Sequence, residues 1–405
     1  MSPRGRFLAL IVADIVSALG SRISLVAIPW LVLVTTGSPA YMGLVSAAEM
    51  IPYLLSSTLL TPVADRIGLR ATSIGCDALS ALAVGCIAAF PMTNLGWLLL
   101  LVAVAGALRG VGDRVKHALL RPAAQAAGYS MIRVTSSYEG LSRLATLLGA
   151  PLGGLLIYWF GARGAVWVDA ATFGFCALVL ITLVGSPSAT TTQPGAALRE
   201  SYLVALRGGF SYLRGDHALF TMLIIVFALN IFASAGTVVF VPIWVSDVLH
   251  SPQALGSVLG VFAAGALLGT LIFTMVAERI PRFPAFLLGG LVSGAPRLLV
   301  LAVSDSLPLV LVVTFISGVG VASVNPILGA AIYERVPDAL QTRVIGLCAT
   351  VTFTGIPIGS LLAGWSTSAF GLRHAVLGAS IACLALTIVP LLGQRRVSPA
   401  SALRS

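Results

Sequence analysis

Charged side chains are scarce in this sequence. Only 9% of its 405 residues are Asp, Glu, Lys or Arg, whereas a soluble domain carries about 25%. Hydrophobic residues make up 58% of the chain. Because so few charges cannot cover a water-facing surface, soluble enzymes, nucleic-acid-binding proteins and disordered scaffolds are excluded. The sequence predicts an integral membrane protein whose net charge of +10 reflects basic loops on one side of the membrane, not a nucleic-acid partner.

Residues that form disulfides or bind metals are also few. The five cysteines lie in apolar stretches without close pairing, and none of the four histidines has a second histidine at ligand spacing. We therefore expect no disulfide, no metal site and no cofactor. The sequence has no G-x-x-x-x-G-K-[ST] phosphate loop, which disfavours an ATP-driven pump.

Long apolar runs dominate what remains. They extend over about 20 residues without polar alternation, which predicts α-helices and not a β-barrel. Most of the arginines fall between these runs on one side, so we expect both termini in the cytoplasm and a multi-pass protein of the plasma or inner membrane. We predict twelve transmembrane helices, at residues 7–35, 41–62, 71–91, 96–117, 134–158, 165–185, 217–244, 254–276, 284–303, 307–330, 343–368 and 373–392.

An internal repeat divides the chain into two halves. The stretch VADRI at 63–67 recurs as VAERI at 276–280, and GAPLG at 149–153 recurs as GIPIG at 355–359. Transporters built from repeated halves bind substrate near the membrane midplane, where the halves meet. We predict two pseudo-symmetric six-helix bundles at 1–186 and 217–405, joined by a cytoplasmic linker with an amphipathic helix at 187–216.

Two motifs carry a family resemblance. The loop at 61–70 reads TPVADRIGLR and resembles the signature G-x-L-A-D-R-x-G-R-R of the major facilitator superfamily. The stretch GAPLGG at 149–154 is similar to that superfamily's antiporter signature G-P-x-L-G-G, with the proline displaced by one position. The resemblance covers the whole chain, and GSP at 37–39 and EMIP at 49–52 are similar to the branch of enterobactin-type and macrolide-type exporters. It implies the major facilitator fold and alternating access, with spans 1, 4, 7 and 10 lining the cavity.

Polar side chains inside the predicted spans are the candidate proton and substrate sites. A charge at a helix centre costs about 2.5–3.5 kcal/mol, so it must face the interior, form a pair or lie near an interface. Partners four residues apart can pair along one helix face, as in Arg109 with Asp113 and Glu139 with Arg143. The candidates are Asp14, Glu49, Arg109, Asp113, Glu139, Arg143, Asn230 and Asn325.

Asp14 and Glu49 are the candidate proton carriers. Neither has an opposite charge within a turn of its own helix, and a low-dielectric environment favours the protonated form of an unpaired carboxylate. Asp77 and Asp169 lie near the ends of predicted helices, and we interpret them as interfacial. Arg297 is isolated in its span, and the sequence assigns it no role.

The motifs supply the remaining candidates. The resemblance implies that the loop signature latches the two halves, with Arg343 as the candidate partner of Asp65. The glycine spacing of the antiporter-like motif is typical of close helix packing within one subunit, so we expect a monomer. The gating residues are Asp65, Arg66, Gly68, Arg70 and Arg343, and the antiporter-like residues are Gly149, Pro151, Gly153 and Gly154.

The leading hypothesis is a proton-coupled exporter of a bulky amphipathic small molecule such as a drug, an antibiotic or a secreted metabolite. An apolar wall with Phe227, Phe232, Phe240 and Trp30 would suit such a solute. The alternatives are an importer of the same fold and a non-transporting membrane sensor. A membrane enzyme would need converging acid, base or metal residues, which the sequence does not offer. The expected partners are the substrate, protons and the lipid bilayer.

Overall fold

The computed structural model of the protein describes residues 2–60, 67–90, 94–183 and 210–394. Within these ranges all regular structure is helical and no strand occurs. Nine helical segments among the described residues are long and apolar enough to cross a membrane. The prediction of an all-α, multi-pass membrane protein is therefore confirmed, and the number of twelve spans stays a prediction.

The described helices follow one another along the chain. The α-helices are α1 Pro3–Thr36, α2 Pro39–Leu59, α3 Leu69–Ala89, α4 Leu95–Ala126, α5 Met131–Thr182, α6 His217–Ser234, α7 Pro252–Val276, α8 Arg282–Ser293, α9 Ala295–Val303, α10 Leu307–Val321, α11 Val324–Arg335, α12 Asp338–Phe370 and α13 Leu372–Gln394. A π-helical stretch, Ala235–Phe240, continues α6, and a second one, Val245–Leu249, follows the α-helical turn Val241–Trp244.

Prolines explain where the structure departs from the predicted spans. The span predicted at 284–303 is two helices that meet at Gly294, and Pro296 lies in the first turn of the second one. The span predicted at 307–330 is also interrupted, just before Pro326. Proline has no N–H to donate and its ring crowds the carbonyl of the preceding turn, so a helix breaks or restarts there.

The described residues form two compact units. The first contains those within 1–195 and 245–260, and the second contains those within 196–244 and 261–405. The core of the first unit lies where α1, α4 and α5 meet, around Leu10, Val115 and Leu180. The core of the second unit lies around Leu219 and Phe286. Each unit therefore buries its own apolar cluster.

Equivalent positions of the sequence repeat share unusual backbone angles. Gly161 interrupts α5 with φ of 71°, and Gly371 separates α12 from α13 with φ of 78°. Gly37 after α1 and His250 before α7 also have positive φ, 65° and 51°. Non-glycine residues rarely adopt this conformation, so His250 keeps a turn that its glycine counterpart adopts without strain. Matching positions of the sequence repeat thus have the same backbone conformation.

Close helix contacts recur in the same way. A Cβ atom built on Gly106 of α4 would overlap the carbonyl group of Glu49 on α2. At the equivalent positions of the second unit, a Cβ on Gly318 of α10 would overlap the carbonyl oxygen of Phe262 on α7. Glycine at these positions lets the two backbones touch, which is how small residues pack helices in membranes.

Gly106→Val should therefore destabilise the first unit, because the added side chain forces α2 away from α4. We expect a lower melting temperature in detergent, corresponding to about 1–3 kcal/mol of strain. Gly174→Val is the matched control, since a Cβ at Gly174 of α5 meets no atom within 4 Å. Equal melting temperatures of the Gly106→Val and Gly174→Val variants would contradict the close contact of α2 and α4.

Candidate functional site

A buried lysine joins three helices of the first unit. The Lys116 side chain, on α4, is 2% exposed, and its Nζ lies 2.8 Å from Oδ1 of Asp77 on α3. The same Nζ lies 3.8 Å from Oδ1 of Asp14 on α1 and donates to Ser17 Oγ at 3.3 Å. The interpretation of Asp77 as an interfacial residue is therefore wrong, because Asp77 is buried against a cation from a neighbouring helix.

Asp14 is held from a second side. Tyr138 of α5 donates its hydroxyl hydrogen to Oδ2 of Asp14 at 2.6 Å. The carboxylate that lacks a partner along its own helix thus finds partners on α4 and α5. Asp14, Asp77 and Lys116, which we call the lysine cluster, carry two potential negative charges and one positive charge. Among the described residues no other basic side chain lies within 4 Å of either carboxylate, so one bound proton makes the lysine cluster neutral.

Local sequence explains why α1 can bring Asp14 to this position. Ser17, Ser21 and Ser24 follow Asp14 at intervals of three or four residues, and all are buried. That spacing places them on one face of the helix. Their small side chains let neighbouring helices approach closely around the carboxylate.

A second charged network connects α2 with α4. Arg109 Nη1 lies 2.6 Å from Glu49 Oε1, and both side chains are nearly buried. The guanidinium carbon lies 4.9 Å from the centre of the Tyr53 ring. Tyr53 in turn donates its hydroxyl hydrogen to Asp113 Oδ2 at 3.2 Å. The predicted pairing of Arg109 with Asp113 along α4 is not formed, because Glu49 supplies the nearer carboxylate from the facing helix.

Three further charged candidates have different surroundings. Asp169, predicted to be interfacial, is 1% exposed within α5 and accepts from Thr172 Oγ1 at 3.3 Å. Arg143 is exposed on the same helix. The side chain of Glu139 lies outside the described residues, so its pairing with Arg143 stays a prediction.

The described part of the loop signature contacts the end of α5. Arg70, in the first turn of α3, donates from Nη2 to the carbonyl oxygens of Leu180 and Ile181 at 3.0 and 2.9 Å. Arginine commonly binds the free carbonyl groups of a helix C-terminus in this way. Gly68 precedes α3 with φ of 102°.

The rest of the predicted latch has less structural support. Arg343 is exposed on α12. Asp65 and Arg66 lie outside the described residues. The latch stays a prediction.

The antiporter-like motif is a helix-packing surface. A Cβ on Gly149 would overlap the side chain of Arg22 on α1, and one on Gly153 would lie 3.3 Å from the carbonyl oxygen of Ile23. Pro151 stands inside α5 between them. Gly154 faces Gly256, in the first turns of α7, at a distance that leaves no room for a side chain.

The second unit repeats this arrangement with its own residues. Gly355 of α12 lies against the carbonyl of Phe227 on α6, and Gly359 lies against Ile231 one turn later. Both copies of the repeated glycine motif thus dock onto the first helix of their unit. This close packing of glycines on a neighbouring helix agrees with the interpretation of the motif spacing.

The second unit contains a cavity of about 90 Å³. Asn230 and Asn325, the two predicted amides, both line it, together with Phe232. Asn230 Nδ2 also donates to the carbonyl oxygen of Val226 at 2.9 Å. Of the other predicted wall residues, Phe240 and Trp30 are buried in the cores of their units and are not accessible to a solute.

Arg297 is the charged residue of this cavity. It is 5% exposed, and its Nη2 donates to Thr237 Oγ1 at 2.8 Å. Its guanidinium carbon lies 4.6 Å from the centre of the Phe262 ring, while its Nε has no hydrogen-bond partner. Among the described residues no carboxylate lies within ion-pairing distance of Arg297.

Sequence reasoning assigned no role to Lys116, Tyr138 or Arg297. A lysine inside a predicted apolar span was a signal for Lys116, since this chain has no other lysine. An isolated arginine in a span was the signal for Arg297. Tyr138 carried no signal, because a tyrosine near a helix end is common in membrane proteins.

Comparison with known proteins gives concordant matches. The transmembrane secretion effector family matches residues 3–403. The chain is 29% identical to the multidrug efflux pump Tap of Mycobacterium tuberculosis (strain H37Rv), over 96% of this chain and 94% of the relative. It is 28% identical to the multidrug efflux pump Tap of Mycolicibacterium fortuitum, over 95% of each chain.

Solved structures show the same fold at low identity. The nucleoside transporter NupG superposes with a TM-score of 0.79 at 13% identity, covering 96% of this chain and 98% of that one. A bacterial homologue of the human lysosomal transporter Spinster, in an inward-facing and occupied conformation, superposes with a TM-score of 0.74 at 16% identity, covering 96% of each chain. At such identities the likeness establishes the fold alone.

Proposed function

Since the chain belongs to the transmembrane secretion effector family of the major facilitator superfamily, we propose that it exports bulky amphipathic small molecules in exchange for protons. Members of this superfamily are multi-pass membrane transporters and not enzymes. The predictions that the protein is a transporter and that its substrate is a small molecule are therefore confirmed. Drug export, proton coupling, a monomeric state and cytoplasmic termini in the plasma or inner membrane belong to the proposal.

The relatives support the direction and the substrate class. Both are named multidrug efflux pumps, and each matches nearly the full length of this chain. The apolar lining of the cavity in the second unit, with Phe232 and Phe262, suits the hydrophobic part of such a solute.

The lysine cluster is the observation that carries proton coupling. Two buried carboxylates share one ammonium group, which lies 2.8 Å from Asp77 and 3.8 Å from Asp14. Holding both carboxylates ionised leaves an uncompensated negative charge away from water, which is costly. Asp14, the carboxylate farther from the ammonium, is therefore the proposed proton carrier. Its protonation weakens the attraction between α1 and α4 and leaves Asp77 paired with Lys116.

This proposal gives the charge change a structural consequence. Asp14 and Lys116 connect α1 with α4, and Tyr138 connects α1 with α5. A proton on Asp14 changes the first of these attractions without breaking the hydrogen bond to Tyr138. Two protonation states thus favour two packings of the same helices, which is what a coupled carrier requires. The energy source in this account is the proton gradient, and no cofactor is involved.

We also propose that the loop signature contributes to gating. In this proposal Asp65 and Arg66 latch the two halves together with Arg343, and Gly68 provides the turn before α3. Arg70 supports the idea by fixing the start of α3 to the end of α5. The predicted bundles at 1–186 and 217–405 and the linker at 187–216 are part of this proposal.

Asp14→Asn tests proton coupling in cells. Cells that make the wild-type protein should accumulate less of a fluorescent amphipathic dye than cells without it, and a protonophore should abolish the difference. Asparagine cannot release a proton, so Asp14→Asn should accumulate dye like cells without the protein, although the variant still reaches the membrane.

Asp305→Asn is the control for this experiment. Asp305 pairs with Arg373 at 2.8 Å, and both side chains are more than half exposed, so its loss should leave export unchanged. Dye levels that are the same for Asp14→Asn and wild type would remove Asp14 from the coupling mechanism. Higher dye accumulation with the wild-type protein than without it would make the protein an importer.

A further inference from the structure

Arg297 stands out among the buried groups of the second unit. Among the described residues of that unit, Arg297 is the one buried residue that carries a charge. The other buried polar residues there are serines and threonines. A charge at such a position costs about 2.5–3.5 kcal/mol on insertion scales unless it is compensated. The first unit compensates its buried cations with Glu49, Asp77 and Asp14. The second unit offers Arg297 no carboxylate among its described residues.

The hydrogen bonds of Arg297 are also incomplete. A guanidinium group has five N–H donors in one plane. One of them reaches Thr237 Oγ1 at 2.8 Å, and the face of the group lies over the Phe262 ring. The buried Nε has no partner. A buried, unsatisfied donor on a cation indicates that an acceptor completes this site.

The adjoining cavity has room for part of a ligand. Its volume is about 90 Å³, well above the roughly 10–15 Å³ that one water molecule needs. A carboxylate with the first carbon atoms of an attached chain or ring fits such a volume. The amides of Asn230 and Asn325 and the ring of Phe232 line the same space as Arg297.

We propose that this cavity binds the acidic group of an amphipathic substrate, with a carboxylate accepting hydrogen bonds from Arg297 and from the amides of Asn230 and Asn325. The inference rests on the proposed export function and names a substrate class for it, namely amphipathic carboxylic acids and zwitterions. Arginine and carboxylate match in geometry, because two parallel N–H groups can donate to both oxygens. The apolar side chains that line the cavity lower its local dielectric constant, which strengthens the interaction.

The mixed lining argues against a small hydrophilic anion as the substrate. Phe232 and Leu298 line the same cavity as Arg297, and a small inorganic anion would lose its hydration shell there without gaining from the apolar contacts. A carboxylate attached to a hydrocarbon group uses both the polar and the apolar part of the lining. Water alone is the competing occupant, and the experiment separates it from an acidic ligand.

Binding of a matched dye pair tests the inference. Rhodamine B carries a free carboxylate, and rhodamine 3B is its ethyl ester, so the two dyes differ at this one group. We expect the purified protein in lipid nanodiscs to bind rhodamine B about tenfold more tightly than rhodamine 3B, as measured by fluorescence anisotropy with empty nanodiscs subtracted. Arg297→Gln should reduce this ratio to about one, and Arg297→Lys should retain part of it because the charge remains.

Two further variants make the test robust. Arg282→Gln is the matched control, since Arg282 pairs with Glu334 at an exposed position and should leave the ratio unchanged. Asn325→Ala, at an exposed position, should lower rhodamine B affinity without changing that of rhodamine 3B. This variant decides the matter if Arg297→Gln proves unstable in its melting curve.

The outcomes separate the inference from the proposed function. The inference would be overturned if the ratio of rhodamine B to rhodamine 3B affinity were the same in the wild type and in a folded Arg297→Gln variant. It would also be overturned if the wild type did not bind rhodamine B. In either case water would be the occupant of the cavity. Export of rhodamine 3B by cells together with that result would leave the proposed function standing. Preferential binding of rhodamine B by a protein that exports neither dye would support the cavity and overturn export.

Discussion

Lys116→Met is expected to abolish export and to cause a large loss of stability. Methionine fills a similar volume but leaves Asp14 and Asp77 buried without their shared cation, which lies 3.8 and 2.8 Å away in the wild type. Removing one partner of a buried ion pair costs about 3–5 kcal/mol, because the other charge is left uncompensated. The measurement is the melting temperature of the solubilised protein, combined with dye export from cells.

A double variant separates charge from packing in this experiment. Lys116→Met combined with Asp77→Asn removes both members of the closer pair, and replacing a whole buried pair is often nearly neutral for stability. The double variant should therefore melt at a higher temperature than Lys116→Met alone, while export stays absent. A Lys116→Met protein that melts like the wild type would show that the lysine cluster does not hold α1, α3 and α4 together.

Glu49→Gln is expected to reduce export at least about tenfold while the protein still reaches the membrane. The substitution keeps the shape of the side chain but removes the charge that holds Arg109 at 2.6 Å. Arg109 would then be a nearly buried cation that relies on the ring of Tyr53, 4.9 Å away. Because Tyr53 also binds Asp113, loss of the pair should disturb the chain of contacts that joins α2 to α4.

Glu334→Gln is the matched control for Glu49→Gln. Glu334 pairs with Arg282 at 2.5 Å, which is as short as the pair of Glu49, but its side chain is 55% exposed. Exposed pairs contribute about 0–1 kcal/mol, so this variant should export and melt like the wild type. If the two substitutions had the same effect on export, burial of the pair of Glu49 and Arg109 would have no functional meaning.

The fold could largely be predicted from the sequence because it depends on local patterns. Long apolar runs predict helices wherever the backbone must satisfy its hydrogen bonds in lipid. The repeat predicted two similar halves, and Gly161 and its counterpart Gly371 do share a positive φ. The interruptions near Gly294 and Pro326 were missed, because an apolar run shows no change in hydropathy where its helix breaks and restarts.

The candidate site was harder to predict, since its contacts join residues far apart in the chain. Asp77 and Lys116 lie on different helices, and their positions within two predicted spans carried no information about a 2.8 Å contact. Arg109 had Asp113 one turn away, yet it pairs with Glu49 from α2. Spacing along one helix predicts only local pairs, so the partners of buried charges require the packing of the helices.

The contacts of Arg297 could not be predicted from the sequence either. The sequence identified a costly charge in an apolar span and offered no partner for it. The structure places Thr237 of the π-helical stretch and Phe262 of α7 against it. Both residues come from distant parts of the chain, and neither is acidic, so the cavity with its unsatisfied cation became visible only in three dimensions.

The central claim is that proton movement through Asp14 drives export, and reconstituted transport tests it most directly. Purified protein would be reconstituted into liposomes whose interior is more acidic than the outside buffer. Valinomycin and equal potassium concentrations on both sides would hold the membrane potential at zero. Rhodamine 3B, whose charge does not change with pH, should accumulate inside wild-type liposomes and leave them when nigericin collapses the gradient. Liposomes with Asp14→Asn should show no gradient-dependent accumulation, whereas those with Asp305→Asn should behave like the wild type. Accumulation that does not depend on the pH gradient, or that persists in Asp14→Asn, would contradict the account.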